Sequence, residues 1–176
     1  MSLKISAKTE YACIAVMELA ARQDSAEPVR IRNIADRHSV PPRFLVQILL
    51  QLKGAGIVES TRGASGGYRL KKKPEDVTLG QVMSIVDAPI GGGKRTLIQT
   101  GGESVAAVIL NKVWDEAEQR RQDFLNSITF ADLLRSADLI KQSKDVDVRK
   151  IGSPSLISSV FPDETDPVSG DTSVTA

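Results

Sequence analysis

An arginine stands inside a glycine-rich turn, in residues 60–70, and this run is the part of the sequence best suited to contact a ligand. The flanking residues alternate as strands do, so the run predicts a β-hairpin that carries Arg62 at its tip. Gly63, Gly66 and Gly67 permit backbone angles that are closed to other residues, which lets such a tip approach a surface closely. An arginine delivered in this way suits the narrow minor groove of DNA, where negative potential is concentrated.

A second group of candidate base-reading residues lies in a predicted helix over 42–54. Its buried face is formed by Leu45, Ile48, Leu49 and Leu52, with Arg43, Val46, Gln47, Leu50 and Lys53 pointing elsewhere. Arg43 can donate two hydrogen bonds to guanine, and Gln47 can pair with adenine. Arg43 could also be a solvated charge, and Phe44 suits the core as well as it suits a thymine methyl.

The elements that position these groups form a helix-turn-helix followed by the hairpin. Helical patterns cover 7–21, 33–38 and 42–54, strands cover 57–61 and 68–70, and a fourth helix starts at the capping box Thr78–Gln81. Ser6 is the expected N-cap of the first helix. We therefore predict a mainly α fold with a small β-hairpin wing, in which residues 1–87 form a winged helix-turn-helix domain.

The second half of the chain predicts an assembly element. Residues 88–103 form a Gly-rich loop, and 104–139 form a long helix and a short helix capped by Thr129 and Asp132. A heptad-like seam suited to dimerisation contains Ala106, Leu110, Val113, Ala117 and Phe124. The acidic tail over 140–176, rich in Ser, Pro, Asp and Thr, is expected to be disordered.

Charge and composition favour a phosphate-bearing partner. Residues 1–73 hold 13 lysines and arginines against 6 acidic residues, and the remainder holds 10 against 16. A single cysteine, Cys13, argues against disulfides and thiolate metal sites, and the lack of a long apolar run predicts a cytoplasmic protein without a membrane span. The run 91–96 lacks residues that a P-loop needs, which argues against a phosphate-binding enzyme. We expect that the protein is not an enzyme and that it binds no metal or cofactor.

Several short motifs occur along the chain in an order typical of one family. They are Lys4–Ser6, Tyr11–Ala12, Ile34–Ala35, Phe44–Gln47, Arg62–Gly63, Gly66–Tyr68, Val86–Asp87 and Phe124–Thr129. Through them, residues 3–138 resemble the Rrf2 family of bacterial winged-helix regulators, which includes the iron–sulfur-cluster regulator and the cysteine-metabolism repressor. The resemblance implies a homodimeric transcription regulator, a repressor in our interpretation. Its loop over 88–103 would respond to a small molecule, to a partner protein, or to nothing.

Two departures from the family pattern bear on mechanism. Cluster-binding members carry three cysteines in the loop before the long helix, whereas residues 88–103 contain neither cysteine nor histidine. Because thiolates hold such iron, we predict no iron–sulfur cluster of the family type. Thr9 and Glu10 stand where relatives commonly have glycine and arginine, which argues against a phosphate contact by the first helix.

The residues together predict sequence-specific binding of palindromic double-stranded DNA by a homodimer. The expected DNA contacts are Pro42, Arg43, Phe44, Gln47, Lys53, Thr61, Arg62, Gly63, Ser65, Gly66 and Tyr68. The alternative is a winged helix that binds a protein partner without reading DNA. The basic first half and the arginine-tipped hairpin favour DNA.

Overall fold

The computed structural model describes residues 5–25, 27–63, 65–87 and 104–142. The described elements, in chain order, are α1 (Ala7–Ala20), α2 (Ile31–His38), α3 (Pro42–Gly54), β1 (Val58–Thr61), β2 (Gly67–Leu70), a 3-10 turn (Pro74–Asp76), α4 (Leu79–Asp87), α5 (Val105–Ser127) and α6 (Phe130–Gln142). The predicted mainly α fold with one hairpin is confirmed. The predicted tail begins at residue 140, but α6 continues to Gln142, so the prediction of disorder is wrong for residues 140–142. The predictions for the loop 88–103 and for residues 143–176 lie outside the described residues.

The chain divides into two units, residues 1–135 and 136–176. The first unit holds α1 to α5, the hairpin and the start of α6, and its core is formed by α1, α3 and α4 with support from α2 and the hairpin. Fully buried side chains in this core include Val16, Leu19, Ile34, Leu45, Ile48, Leu49, Leu52 and Val82. Each contributes on the order of 1.5–3 kcal/mol relative to exposure. The second unit contributes the end of α6, residues 136–142, to the described part.

The turn between α2 and α3 is held by backbone geometry. Ser39 adopts a left-handed conformation with φ 54°, and the amide of Val40 donates to the Ala35 carbonyl at 3.1 Å. Pro41 then precedes the first residue of α3, Pro42, where a missing amide donor costs nothing. Since Val40 is buried, the turn is anchored to the core and fixes the angle between the two helices.

Helix α2 begins two residues earlier than the pattern predicts. The carbonyl of Arg30 accepts hydrogen bonds from the amides of Asn33 and Ile34, at 3.0 and 3.4 Å, so the helix starts at Ile31. The apolar pattern shows only where Ile34 and Ala35 are buried, whereas the start is set by this backbone bonding. The connecting residue Val29 pairs with Tyr68 of β2 and so attaches the segment before α2 to the hairpin.

The start of α1 is tied to the end of α4. Ser6 caps α1 as predicted, accepting from the Thr9 amide at 3.1 Å, and its hydroxyl donates to an Asp87 carboxylate oxygen at 2.9 Å. The Lys8 ammonium donates to the Val86 carbonyl at 2.8 Å, where a cation complements the C-terminal end of a helix. Thr9 is buried beside this cap. Its role at this position is structural.

A buried carboxylate connects α1 to α2. Glu18 is 6% exposed, and one of its oxygens accepts from Arg22 at 2.8 Å and from Arg37 at 3.2 Å. The other oxygen lies 3.1 Å from Nε2 of His38. In the sequence, Glu18 is a polar interruption of an apolar stripe and His38 is the sole histidine. Their contact shows that both help to seat α2, the first helix of the helix-turn-helix, on α1.

A short backbone pairing attaches α5 and α6 to the winged domain. The Leu79 amide donates to the Ile128 carbonyl at 2.8 Å, and the Phe130 amide donates to the Val77 carbonyl at 2.9 Å. Phe130 is fully buried. The two predicted capping boxes begin at this backbone pairing. Thr78 caps α4 through reciprocal hydrogen bonds with Gln81, and Thr129 caps α6 through reciprocal hydrogen bonds with Asp132.

Candidate nucleic-acid interface

The outward face of α3 is a stripe of five exposed side chains at helical spacing, as the pattern predicts. They are Arg43, Val46, Gln47, Leu50 and Lys53. Arg43 and Gln47 lie on the first two turns, four residues apart, so they are neighbours on the same face. The opposite face of the helix is buried in the core. The N-terminal half of α3 therefore presents hydrogen-bonding groups to solvent from a rigid support.

Phe44 lies at the border between the core and solvent. Its side chain is 37% exposed, and its ring centroid is 6.1 Å from that of Tyr11 on α1. The guanidinium carbon of Arg43 lies 5.0 Å from the centre of the same ring. A cation–π contact at an exposed site contributes about 0.5–1 kcal/mol. Phe44 thus supports α3 against α1 and also orients Arg43.

The wing is an antiparallel hairpin in which Ser60 is opposite Tyr68. Its glycines serve two different purposes, and the prediction that all three supply special backbone angles is wrong for two of them. Gly63 has φ +104°, a conformation that side chains rarely adopt, but a Cβ on Gly66 would lie 2.5 Å from the Thr61 carbonyl oxygen. A Cβ on Gly67 would lie 2.6 Å from the Val29 carbonyl oxygen. Gly66 and Gly67 are required for space, because neighbouring backbone passes too close for a side chain.

The wing is attached to α3 and to the segment before α2. The Lys53 ammonium donates to the Ser60 hydroxyl at 2.6 Å, which joins the end of α3 to β1. Val29 and Tyr68 exchange backbone hydrogen bonds of 2.9 and 2.8 Å. Lys53 therefore has a partner within the fold beside its predicted role on phosphate. In this way β1 is joined to α3, and β2 is joined to the segment before α2.

The remaining predicted contact residues lie where the sequence places them. Pro42 is the first residue of α3, Thr61 ends β1, and Arg62, Gly63 and Ser65 are exposed beyond that strand. The wing is followed by three exposed lysines, Lys71, Lys72 and Lys73. The charged residues among the predicted contacts on α3 and the wing are all cationic, which suits a phosphate-lined ligand, whereas Glu59 of β1 is an exposed acidic residue beside them.

The five predicted seam residues lie on one face of α5, and all are exposed. They are Ala106, Leu110, Val113, Ala117 and Phe124. The face that meets the domain is a different one, where Leu125 is buried and Asn111 and Gln122 are half-buried. Ion pairs flank the stripe, including Glu116 with Arg120 at 2.9 Å and a close Glu118–Arg121 pair. Among the described residues, nothing packs on this exposed apolar stripe of the 23-residue helix.

The described residues do not fit a metal cluster held by thiolates. Burial, with smaller contributions from the carboxylates of Asp87 and Glu10, raises the pKa of the Cys13 thiol to about 11. A thiol of that kind is a poor metal ligand, because the thiolate is the binding form. No group of three His, Cys, Asp or Glu side chains placed to hold a metal occurs in residues 5–25, 27–63, 65–87 and 104–142. Within the same ranges, no helix is long and apolar enough to cross a membrane.

Comparison with known proteins places this geometry in a family. Residues 5–136 match the model of the Rrf2 family, described as an iron-dependent transcriptional regulator. An rrf2-like HTH-type transcriptional regulator of Rhodobacter capsulatus is 38% identical over 141 residues, which cover 76% of this chain and 94% of the relative. An HTH-type transcriptional regulator IscR of Vibrio atlanticus is 29% identical over 149 residues, or 83% of each chain.

Two solved structures give the same result. The structure of T. potens IscR matches with a TM-score of 0.63 at 32% identity, covering 78% of this chain and 90% of that chain. CymR, the global cysteine regulator of B. subtilis, matches with a TM-score of 0.61 at 30% identity, covering 75% of this chain and 96% of that one. This chain belongs to the Rrf2 family of winged helix-turn-helix transcriptional regulators.

Proposed function

We propose that this chain is a cytoplasmic, homodimeric repressor that recognises a palindromic DNA operator without an iron–sulfur cluster of the family type. The observation that carries the proposal is the hydrogen bond between Lys53 and Ser60. It joins the helix that exposes Arg43 and Gln47 to the hairpin that exposes Arg62. Two recognition elements joined within one domain can engage adjacent grooves of one duplex.

Base reading through hydrogen bonds is assigned to the first two turns of α3. In a helix-turn-helix, residues near the start of the second helix reach base edges in the major groove. A bidentate contact from Arg43 to guanine or from Gln47 to adenine is worth about 1–3 kcal/mol of discrimination. The contact between Arg43 and the Phe44 ring restricts the guanidinium before DNA arrives, which lowers the entropic cost of the bond.

The wing is assigned to the minor groove. Arg62 follows β1 directly, and Gly63 and Gly66 carry no side chain that would hold the backbone away from a sugar–phosphate wall at these two positions. The lysines at 71–73 add attraction to phosphates, which carries no sequence information. Base-edge specificity is therefore expected from α3, a preference for a narrow minor groove from Arg62, and a salt-dependent, sequence-independent share of the affinity from the lysines.

The proposed dimer forms along the α5 stripe. One recognition helix alone buries too little surface for strong, specific binding, so two-fold symmetry and a palindromic site are the usual solution. The stripe repeats at intervals of four and three residues, the period of helices that pair. A dimer bound to an operator occupies duplex that other proteins need, and for this reason we propose repression.

Iron is not part of the proposed mechanism, although the family model is described as iron-dependent. The only cysteine in the chain is Cys13, which lies on α1 against the core with a raised thiol pKa. A cluster of the family type needs several thiolates. We propose that any signal acts through a small molecule or a partner protein.

Selection of bound duplexes from randomised DNA, using the full chain, tests the proposal. We expect a palindromic consensus whose affinity falls steeply with salt. Arg62→Ala should weaken binding to the selected operator by about tenfold or more with an unchanged melting temperature, since the side chain is exposed. Lys72→Ala is the matched control, because losing a phosphate contact should weaken all duplexes equally. Enrichment of no sequence, with or without cell extract, would rule the proposal out.

A further inference from the structure

The outward face of α3 contains two large aliphatic side chains in addition to its polar groups. Val46 is 41% exposed and Leu50 is 56% exposed, and they lie four residues apart in the middle of this face. Side chains at this spacing lie one above the other on a helix. Together they form an apolar strip about one helical turn long, bordered by Arg43 and Gln47 on one side and by Lys53 at the end.

The apolar strip of Val46 and Leu50 lies on the solvent-facing side of α3, where a binding partner can cover it. The side chains that hold α3 in the fold are on its opposite face, so Val46 and Leu50 contribute nothing to the core. Clusters of exposed apolar groups rimmed by polar residues mark contact surfaces. Because the rim of this strip is cationic at both ends, the partner must combine an apolar surface with negative charge.

The major groove of DNA offers an apolar group close to negative charge. The apolar group is the C5 methyl of thymine, and the negative charge is carried by the phosphates that line both walls of the groove. We propose that Val46 and Leu50 contact thymine methyls and so select A·T pairs at two positions of each half-site. This inference rests on the proposed function, since it assumes that α3 enters the major groove.

The geometry of a helix sets the spacing of the two selected positions. Residues four apart are separated by about 6 Å along the axis, at 1.5 Å per residue. Successive base pairs are about 3.4 Å apart. The two methyls are therefore expected within about two base-pair steps of each other. Gln47, which neighbours Val46 on the same face, can pair with adenine in the same A·T-rich segment.

Replacement of thymine by deoxyuridine in the selected operator tests the contact, because it removes the methyl and leaves every hydrogen-bonding group in place. We expect affinity to fall about fourfold for each of two thymines per half-site, the value for one buried methyl-sized group. In Val46→Ala the penalty at one of these positions should shrink toward onefold, and in Leu50→Ala the penalty at the other. Leu139→Ala, at an exposed leucine of α6, should keep both penalties.

The outcomes separate this inference from the proposed function. Tight operator binding with equal affinity for thymine and deoxyuridine at every position would overturn the inference and leave DNA recognition standing. So would a consensus without thymine in the half-site, or penalties that neither alanine variant changes. A chain that selects no duplex at all would remove the proposed function itself, and capture of a protein partner through Val46 and Leu50 would overturn both. Unchanged melting temperatures of the alanine variants verify that the fold is intact.

Discussion

Gly80 of α4 lies directly against Asn126 of α5. A Cβ on Gly80 would clash with the Asn126 side-chain oxygen and would lie 3.1 Å from its backbone nitrogen. The same amide oxygen lies 3.5 Å from the Thr78 hydroxyl at the N-cap of α4. The lack of a side chain at Gly80 therefore allows the close approach of α4 and α5. This contact lies next to the backbone pairing of residues 77–79 with 128–130, which attaches the long helix to the winged domain.

Gly80→Ala is expected to destabilise the protein, although alanine is the better helix former by about 1 kcal/mol. The added methyl group forces the Asn126 side chain and backbone to move, and overpacking of this kind costs about 1–3 kcal/mol. Thermal unfolding measures the effect. Gly54→Ala makes the same chemical change where no atom lies within 4 Å, and should be neutral or stabilising. Equal melting temperatures of the two variants would contradict the close crossing.

Gly66→Ala is expected to damage the wing with little effect on global stability. The new Cβ meets two backbone oxygens, of Thr61 at 2.5 Å and of Gly63 at 2.9 Å, so the hairpin tip must rearrange. We expect operator affinity to fall about tenfold or more, with a small change in melting temperature, because the tip lies outside the core. Ser84→Ala, at an exposed position of α4, is the control and should bind as the parent does. Undiminished binding by Gly66→Ala would show that the tip does not touch DNA.

Charge placed in the α5 stripe is expected to dissociate the proposed dimer. The double change Leu110→Glu and Val113→Glu puts two like charges from each copy into an apolar contact, where unpaired charges are strongly disfavoured. Sedimentation should then give the mass of one chain instead of two, and operator binding should weaken. Lys112→Glu alters charge next to the stripe and should leave the mass unchanged. A parent chain that is already monomeric at micromolar concentration would refute the assignment.

The N-cap of α6 makes the free energy of unfolding depend on pH in the acidic range. The Thr129 hydroxyl and amide, together with Arg135, hold the pKa of Asp132 below its ordinary value of 3.8. A carboxylate with a lowered pKa in the folded state stabilises the fold above its unfolded pKa, and this contribution is lost as pH falls through the folded value. Asp132→Asn should therefore lower the melting temperature at pH 7 and have a diminishing effect below about pH 4. Asp138→Asn, at an exposed carboxylate of the same helix, is the control.

Features that depend on a few consecutive residues could be predicted from the sequence. The bounds of α3 were predicted because Pro42 and Gly54 mark its ends, and the caps at Thr78 and Thr129 because each partner lies three residues away. The exposed stripe of α5 followed from its heptad spacing. These signals do not require knowledge of how the helices pack.

Features that join distant parts of the chain could not be predicted in this way. The contact of Glu18 with His38 and the crossing of Gly80 with Asn126 depend on the angles at which helices meet. The sequence indicated that Gly66 is needed, but the reason is steric contact with the Thr61 carbonyl. Val46 and Leu50 were placed off the buried face correctly. Their interest as a pair comes from the exposed fractions of their side chains in the structure, which the pattern alone does not provide.

The pairing of residues 77–79 with 128–130 has a consequence for the architecture of promoters. It joins the winged domain to the C-terminal end of α5, so in the proposed dimer we expect the protein, and not the DNA, to set the separation of the two recognition helices. One additional base pair between half-sites turns the second half-site by about 34° around the duplex axis. A dimer whose recognition helices are a fixed distance apart cannot follow that rotation without breaking the backbone hydrogen bonds between residues 77–79 and 128–130. Natural binding sites should therefore keep one invariant centre-to-centre distance while their flanking bases vary.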